Sequence, residues 1–344
     1  MLIERPAPAT IRDVADRAGV SAATVSRVLA GIGNPRPETA AAVMRAVEEL
    51  GYRPSGVARS LRMKRTRTLG LIVTDIQNPF FPELVQAADS AARSMDYSII
   101  LGSAAYDEHR AWHYLDLMVD RRVDGMIIAS SQMSEESWRW LLSSPVPVVV
   151  ANAEPAGLPV PVITSDNEGG SRLAVEHLLG LGHRRFAYIR GHEGFTADVP
   201  RFDSFLRACL EAGIGDDAIT AIRGDGQFEG GERAMAELLA GGCRATAVIC
   251  HNDVTAIGAM RAIRASGQRM PEHLSIVGCD DIAAASWVVP ALTTVAQQKA
   301  EMGRRAVEVL AAMLDDPSGA AVETIHIPMI LRVRESTGPA PAGG

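Results

Sequence analysis

Apolar positions recur at helical spacing three times in the first fifty residues of the chain. Ile11, Val14, Ala15 and Ala18 form one face of a first helix. Val25, Val28 and Leu29 form the buried face of a second, and Val43, Ala46, Val47 and Leu50 the stripe of a third. The end signals agree with this division. Thr10 is placed to cap the first helix with Asp13 as its capping-box partner. Gly19 supplies the left-handed residue that ends it, Ser21 caps the second helix almost at once, Pro37 fits the first turn of the third, and Gly51 closes it. Two helices joined by so short a turn cross steeply, as in a helix-turn-helix. Ala22, Ala23, Ser26, Arg27 and Ala30 are left on the outer side of the second helix.

After Thr68 the period changes. Short apolar runs, Leu69–Val73, Ser98–Gly102, Gly125–Ala129 and Val146–Ala151, alternate with helical segments. A second set follows at Phe186–Arg190, Ala218–Arg223, Ala247–Cys250 and Leu274–Gly278, with helices such as Glu168–Leu181 and Val254–Ser266 between. Strand and helix in alternation imply parallel sheets covered on both faces. Their double occurrence predicts an α/β body of two doubly wound lobes with a cleft between them, behind an all-α head. Polar residues gather just after the strands: Asp75, Asn152, Asn252, Asp253, Asp280 and Asp281. Ligands of open α/β sheets bind beyond the carboxyl ends of the strands, so these residues are placed to line the cleft. Capping the next helix is the competing role for each.

Charge divides the chain in the same place. The net charge is −7, yet residues 1–68 carry 12 basic against 6 acidic side chains, and the remainder 22 against 35. A basic head on an acidic body points to a polyanion as the partner of the head alone. In a helix-turn-helix the start of the second helix enters the major groove of duplex DNA. Alanines at 22 and 23 let its backbone approach closely, a methyl can contact thymine, and Arg27 can donate two bonds to guanine. The arginine-dense stretch YRPSGVARSLRMKRTRT, Tyr52 to Thr68, contains a helix-capable piece, Ser55 to Arg62. Eight residues or so make no stable helix alone in water, so the piece reads as a linker that turns helical on DNA.

Other classes of function find little support. The chain has no P-loop, no GxSxG elbow and no HExxH, so no enzyme, cofactor or metal site is expected. His109 and His113 lie four apart on a helix but have no evident third ligand. The four cysteines form no CxxC pair and read as reduced core residues. No apolar run is long enough to cross a membrane, and MLIERPAPAT lacks the apolar core of a signal peptide, which places the protein in the cytoplasm. Lysine occurs only at 64 and 299, read here as a composition bias toward arginine.

The run TIRDVADRAGVSAATVSRVLAG…ETAAAVMRAVEELGYRPSGVARSLR…RTLGLIV resembles the lactose-repressor (LacI/GalR) family of bacterial transcription regulators. The likeness continues through DIQNPFF, DGMIIAS, DNEGG, HNDVTAIGAM, GCDDI and PALTT to LRVRES, from Thr10 to Ser336. The resemblance implies a homodimer on a pseudo-palindromic double-stranded operator, with a periplasmic-binding-protein-like body that senses a small molecule. Ser21 to Ala30 would be the recognition helix, with Ala22, Ala23 and Arg27 selecting bases. Thr10, Ser21, Thr24, Ser26 and Tyr52 complete the expected DNA-binding set. Ala58 and Leu61 match hinge-helix positions, and Leu61 would be the wedge pushed into the minor groove. Ala30, Arg36 and Ala40 depart from the family's usual asparagine, serine-like cap and arginine.

For the effector, the resemblance implies Phe80 and Phe81 as stacking platforms, Arg201 as the effector-binding arginine and Asp280 as an acceptor of ligand hydroxyls. Asp166, Asn252, Phe228 and Trp287 join them as further candidates. Phe195 and Ala197 stand where purine-responsive members carry polar contacts, which leaves a sugar or sugar derivative as the expected effector. The expected layout is a loose tail over 1–9, the DNA-binding domain over 10–54, hinge and linker over 55–68, the effector domain over 69–338 and a second loose tail over 339–344. Within the effector domain one lobe takes 69–165 and 298–323, the other 166–297 and 324–338. The tail STGPAPAGG cannot form the extra helix that tetramers of the family use, hence a dimer. The alternative is a sugar-binding protein without DNA function.

Overall fold

The computed structural model describes residues 9–29, 31–52, 65–129, 133–155, 157–192, 198–316 and 322–341. It forms two compact units, 1–66 and 67–344. In the first unit, α1 (Ile11–Ala18), α2 (Ala22–Leu29) and α3 (Pro37–Leu50) follow the pattern of the sequence. Thr10 and Asp13 form the reciprocal capping box, Gly19 and Gly51 take the left-handed conformation, and Ser21 Oγ accepts the Thr24 N–H at 3.1 Å. Val14, Ala15, Val25, Val43 and Ala46 make the small core. Two expectations shift. Leu50 is exposed, since the stripe of α3 has already drifted past the core by its last turn. Ala22 packs against the core edge instead of lying free on the outer face. Ala30, Ala58, Leu61 and the whole hinge segment lie outside the described residues.

The second unit contains two six-stranded sheets. The first comprises β1 (Thr68–Val73), β2 (Ser98–Ser103), β3 (Gly125–Ala129), β4 (Val148–Ala151), β5 (Val162–Ser165) and β11 (Thr324–Ile327), in the order β11-β5-β4-β3-β1-β2 and parallel throughout. The second comprises β6 (Phe186–Arg190), β7 (Ile219–Arg223), β8 (Ala247–Cys250), β9 (Ser275–Asp280), β10 (Thr293–Ala296) and β12 (Ile330–Arg332), in the order β12-β10-β9-β8-β6-β7. Only β12 runs antiparallel there. Helices cover both faces of each sheet. On the first they are α4 (Phe80–Ser94) and α11 (Lys299–Asp315) on one side, α5 (Glu108–Asp120) and α6 (Glu135–Ser143) on the other. On the second, α7 (Asn167–Gly180) and α8 (Asp198–Glu211) face α9 (Phe228–Ala240) and α10 (Asp253–Ala265) across the sheet. Central strands buried on both faces explain the continuous apolar runs in the sequence. Among the described residues no helix is long and apolar enough to cross a membrane.

The chain passes between the lobes after β5, after β10 and after β11. Because β11 pairs with β5 over Thr324–Ile327, the last passage lies beyond Ile327 and not before Thr324 as the sequence suggested. The end of the effector domain is packed, with Ser336 fully buried and Gly338 O contacting His183 Nε2 at 3.0 Å. The tail expected to be loose from residue 339 is held at Ala340, whose N–H donates to Leu181 O at 2.8 Å. Small polar residues and proline gave no periodic signal for this docking.

The crossing of α9 and α10 rests on two glycines. A Cβ at Gly258 of α10 would run into the Phe228 carbonyl of α9, and one at Gly231 of α9 into the Thr255 carbonyl of α10. Backbone on both sides leaves no flexible side chain to yield. Gly258→Ala is therefore expected to lower unfolding free energy by about 1–3 kcal/mol. Gly180→Ala, at a helical position with open space, should be neutral or add up to about 1 kcal/mol. Urea unfolding of the two variants checks the contrast, and equal effects would contradict the close-packing account.

Candidate functional site

The first candidate surface is the outer side of α2. Ser21, Ala23 and Arg27 are exposed, while Thr24 and Ser26 are half-buried. Among the described residues the Arg27 guanidinium has no ion-pair partner, so its five donors are available. Thr10 is less available: its hydroxyl donates to Asp13 Oδ2 at 2.8 Å and accepts the Asp13 N–H, so it is committed to the cap. Tyr52 is half-buried against the core of the unit. Arg17 and Glu49 pair at 2.6 Å between α1 and α3 on the surface of the module, whose shape is held by its core.

The second is a cleft at the carboxyl ends of the strands of both sheets. The structure brings Phe80, Phe81, Asn152, Arg201, Asn252 and Asp280 together on its walls. Phe80 and Phe81 start α4 and pack edge to face at 5.1 Å. Arg201 projects from α8 and is 7% exposed. Its Nε donates to Asn167 Oδ1 at 3.0 Å and its Nη1 to the His251 carbonyl at 2.9 Å, which leaves the other donors for the cleft. Asp280 ends β9 with φ +129°, a conformation rare for any residue but glycine. Its Oδ1 accepts from Gln297 Nε2 at 2.6 Å. Tyr106 and Asn152 on the same walls also have positive φ. Strained backbone gathers in this way where a site, and not the core, dictates conformation.

Asn252 combines both roles weighed from the sequence. It caps α10 by accepting the Thr255 N–H at 2.8 Å and donates to Gly226 O at 2.9 Å, yet it lies on the cleft wall. Other candidates lie elsewhere. Asp166 caps α7 and accepts the Gly169 N–H at 2.9 Å, away from the cleft walls. Phe228 lies under Arg261, 5.7 Å from its ring centroid, and Trp287 is 75% exposed; neither lines the cleft. Asp75 accepts the Gln77 N–H, Asp281 pairs with Arg334 at 2.5 Å, and Asp253 is buried beneath the wall. Phe195 and Ala197 lie outside the described residues. Sequence reasoning passed over His251, Tyr106, Asn78, Thr74 and Gln297 on the walls. His251 directly follows β8, where the strand-end rule could have found it. Gln297 follows β10, whose sequence TTVA gives no continuous apolar run to read. No group of three or more His, Cys, Asp or Glu among the described residues is placed to hold a metal ion.

Comparison with known proteins bears on both surfaces. The profile described as bacterial regulatory proteins, lacI family, matches residues 10–55, and that of a periplasmic binding protein-like domain matches 175–337. The HTH-type transcriptional repressor PurR of Pasteurella multocida is 34% identical over 326 residues, covering 94% of this chain and 98% of its own. The lac repressor dimer bound to operator and the anti-inducer ONPF superposes with a TM-score of 0.88 at 27% identity, over 96% of this chain and 100% of that one. A complex of the transcriptional regulator CelR with cellobiose gives 0.72 at 30% identity, over 95% and 99%.

The cleft acid has a buried neighbour. Asp253 Oδ2 accepts the Ile282 N–H at 2.9 Å and Oδ1 the Thr294 hydroxyl at 2.5 Å. Burial first, and the Asp280 carboxylate second, push the Asp253 carboxyl above the usual range. Burial also raises Asp280, against the opposing pull of Arg201. A carboxyl raised by folding binds its proton more tightly in the native state, so stability falls as pH climbs above the unfolded value of about 3.9. Asp253→Asn removes that slope. With the folded carboxyl pushed up to about 7, the variant should gain stability relative to wild type from about pH 4 to about pH 7, by at most about 1.4 kcal/mol per pH unit, and hold a constant advantage above that. Urea titrations across that range test this; a difference independent of pH would mean that Asp253 titrates normally.

Proposed function

The chain belongs to the lacI family of bacterial regulatory proteins and is a ligand-responsive, DNA-binding regulator of transcription; from that premise we propose that it represses as a homodimer on a palindromic operator and answers to a sugar. The observation that carries the effector class is the meeting of Arg201, Asp280 and the Phe80–Phe81 pair on one small cleft. A hydroxyl-rich ring needs an acceptor that is fixed, a cation with donors to spare and an apolar face, and these supply all three. The cellobiose complex of CelR supports the same class, and the lac repressor dimer on its operator supports the assembly. The free space of the cleft is about 50 Å³, room for a few waters. A disaccharide would require the lobes to part, and that movement is the differential contact through which a ligand biases two states.

For the DNA half, Ala22, Ala23 and Arg27 are proposed to read bases, with Ser21, Thr24, Ser26 and Tyr52 on the backbone. Ala58 and Leu61 are proposed for the minor groove. A coupling of about 1–3 kcal/mol between the two sites would change operator affinity about 5–150-fold.

The deciding experiment selects bound sequences from random duplex DNA, with and without a panel of sugars. An enriched palindrome whose recovery changes with one sugar supports the whole reading. A palindrome indifferent to sugars removes the effector class, and no enrichment at low salt favours a sugar-binding protein without DNA function. On the selected operator, Arg201→Ala should keep basal affinity and lose the sugar response; a normal response would take Arg201 out of the site. Leu61→Ala should weaken specific binding by more than nonspecific binding, and equal losses would contradict the wedge.

A further inference from the structure

Arginine supplies all but two of the 34 basic residues of the chain, and Lys299 is one of the two lysines. It is 3% exposed. An ammonium so buried is costly unless oxygens replace its water. Three do. Its Nζ donates to the carbonyls of Asp280 at 2.6 Å and Asp281 at 3.0 Å, and lies 3.3 Å from the Glu83 carboxylate. The acceptors belong to different parts of the fold. Lys299 opens α11 and Glu83 lies in the first turn of α4, both in the first lobe, whereas Asp280 ends β9 of the second.

We infer that Lys299 is a positioning residue for the cleft: it ties the end of β9, with Asp280, to the first turn of α4, with Phe80 and Phe81, and so sets the angle between the lobes. When the lobes meet, two backbone carbonyls take the place of water around the ammonium. When they part, water returns to it. Neither arrangement leaves the charge bare, so the contact favours two positions over a continuum between them. The chemistry also explains why arginine does not serve here. Three oxygens from three residues gather on one nitrogen, which suits a compact ammonium with three donors and not a planar fork.

The inference rests on reading this cleft as the effector site, but its test uses no effector, so the two can fail separately. Lys299→Met, Lys299→Arg and Glu83→Gln are compared with wild type in the full chain by peptide-resolved hydrogen exchange and small-angle scattering. Lys299→Met should raise exchange about tenfold or more in peptides covering Asp280–Ile282 and Lys299–Gly303. It should enlarge the radius of gyration and leave β6 and α1–α3 at wild-type exchange. Lys299→Arg should behave likewise, and Glu83→Gln should show a smaller effect at the start of α4. An unchanged radius, or exchange raised evenly across the second unit, overturns the inference, since a merely stabilising lysine would do that. Wild-type behaviour of Lys299→Arg overturns it too, because any cation would then suffice.

Discussion

The buried amide of Gln297 joins the pieces on which the second unit depends. Its Oε1 accepts the Ser165 hydroxyl at 2.6 Å and its Nε2 donates to Asp280 Oδ1 at 2.6 Å. Ser165 ends β5 of the first sheet and Asp280 ends β9 of the second, so one side chain links two lobes and the acid of the cleft. The neighbouring passages join the same network. Gln298 Nε2 donates to Pro328 O at 2.8 Å, and the Asp166 N–H to Ile327 O at 2.9 Å. Buried amides with both ends satisfied hold their orientation strongly, because any slip strands a donor in low dielectric. The junction of the two lobes is therefore also the device that aims the cleft carboxylate.

Electrostatics around the cleft are arranged by the same logic of burial and pairing. Asp198 is almost fully buried behind the wall, and burial alone would raise its carboxyl. The contacts of His251, the Gly191 N–H and Arg190 outweigh burial and hold it well below the usual range. Arg190 at 2.7 Å and Arg223 at 3.0 Å share this one carboxylate. Asp253 and Asp280 go the other way: burial outweighs the pull of Arg201 and Lys299 on Asp280, and the Asp280 carboxylate adds to the effect of burial on Asp253. Under the proposed reading the cleft would meet its ligand with one firmly charged arginine and an acid whose charge is costly to maintain, a condition that favours a hydrogen-bonding hydroxyl over a bare anion.

How far this was legible in the sequence depended on the length of the signal. The three helices of the first unit were readable to their caps, because Thr10, Gly19, Pro37 and Gly51 act locally. Strands such as β1 and β3 were readable because burial on both faces makes them continuous apolar runs. The strands β5, β10, β11 and β12 were not: three or four residues each, among polar and proline-rich neighbours, they take their conformation from sheet partners distant in sequence. Missing β10 hid Gln297, and missing the pairing of β11 with β5 moved a lobe boundary. The strand-end rule found Asp280 and Asn252 on the cleft but could not distinguish them from Asp75 and Asp281, whose partners are backbone and arginine groups that only folding supplies.

Charge and packing place different limits on regulation. The basic head and acidic body confine attraction for DNA to the head, so a ligand in the body can act only by changing what the head experiences. Under the proposed reading that change is a free-energy difference between two arrangements of the lobes, and it cannot exceed the ligand's own preference for one of them. Close backbone approaches at Gly231 and Gly258 in the second lobe, and at Gly303 against the Leu84 carbonyl in the first, make each lobe stiff, and the inter-lobe network makes intermediate angles leave donors unsatisfied. Stiff lobes on a hinge of that kind turn a small contact difference at Asp280 into a choice between discrete positions. The regulator's sensitivity is then set less by how tightly the cleft holds its ligand than by how unevenly Gln297 and Lys299 favour one angle over the other.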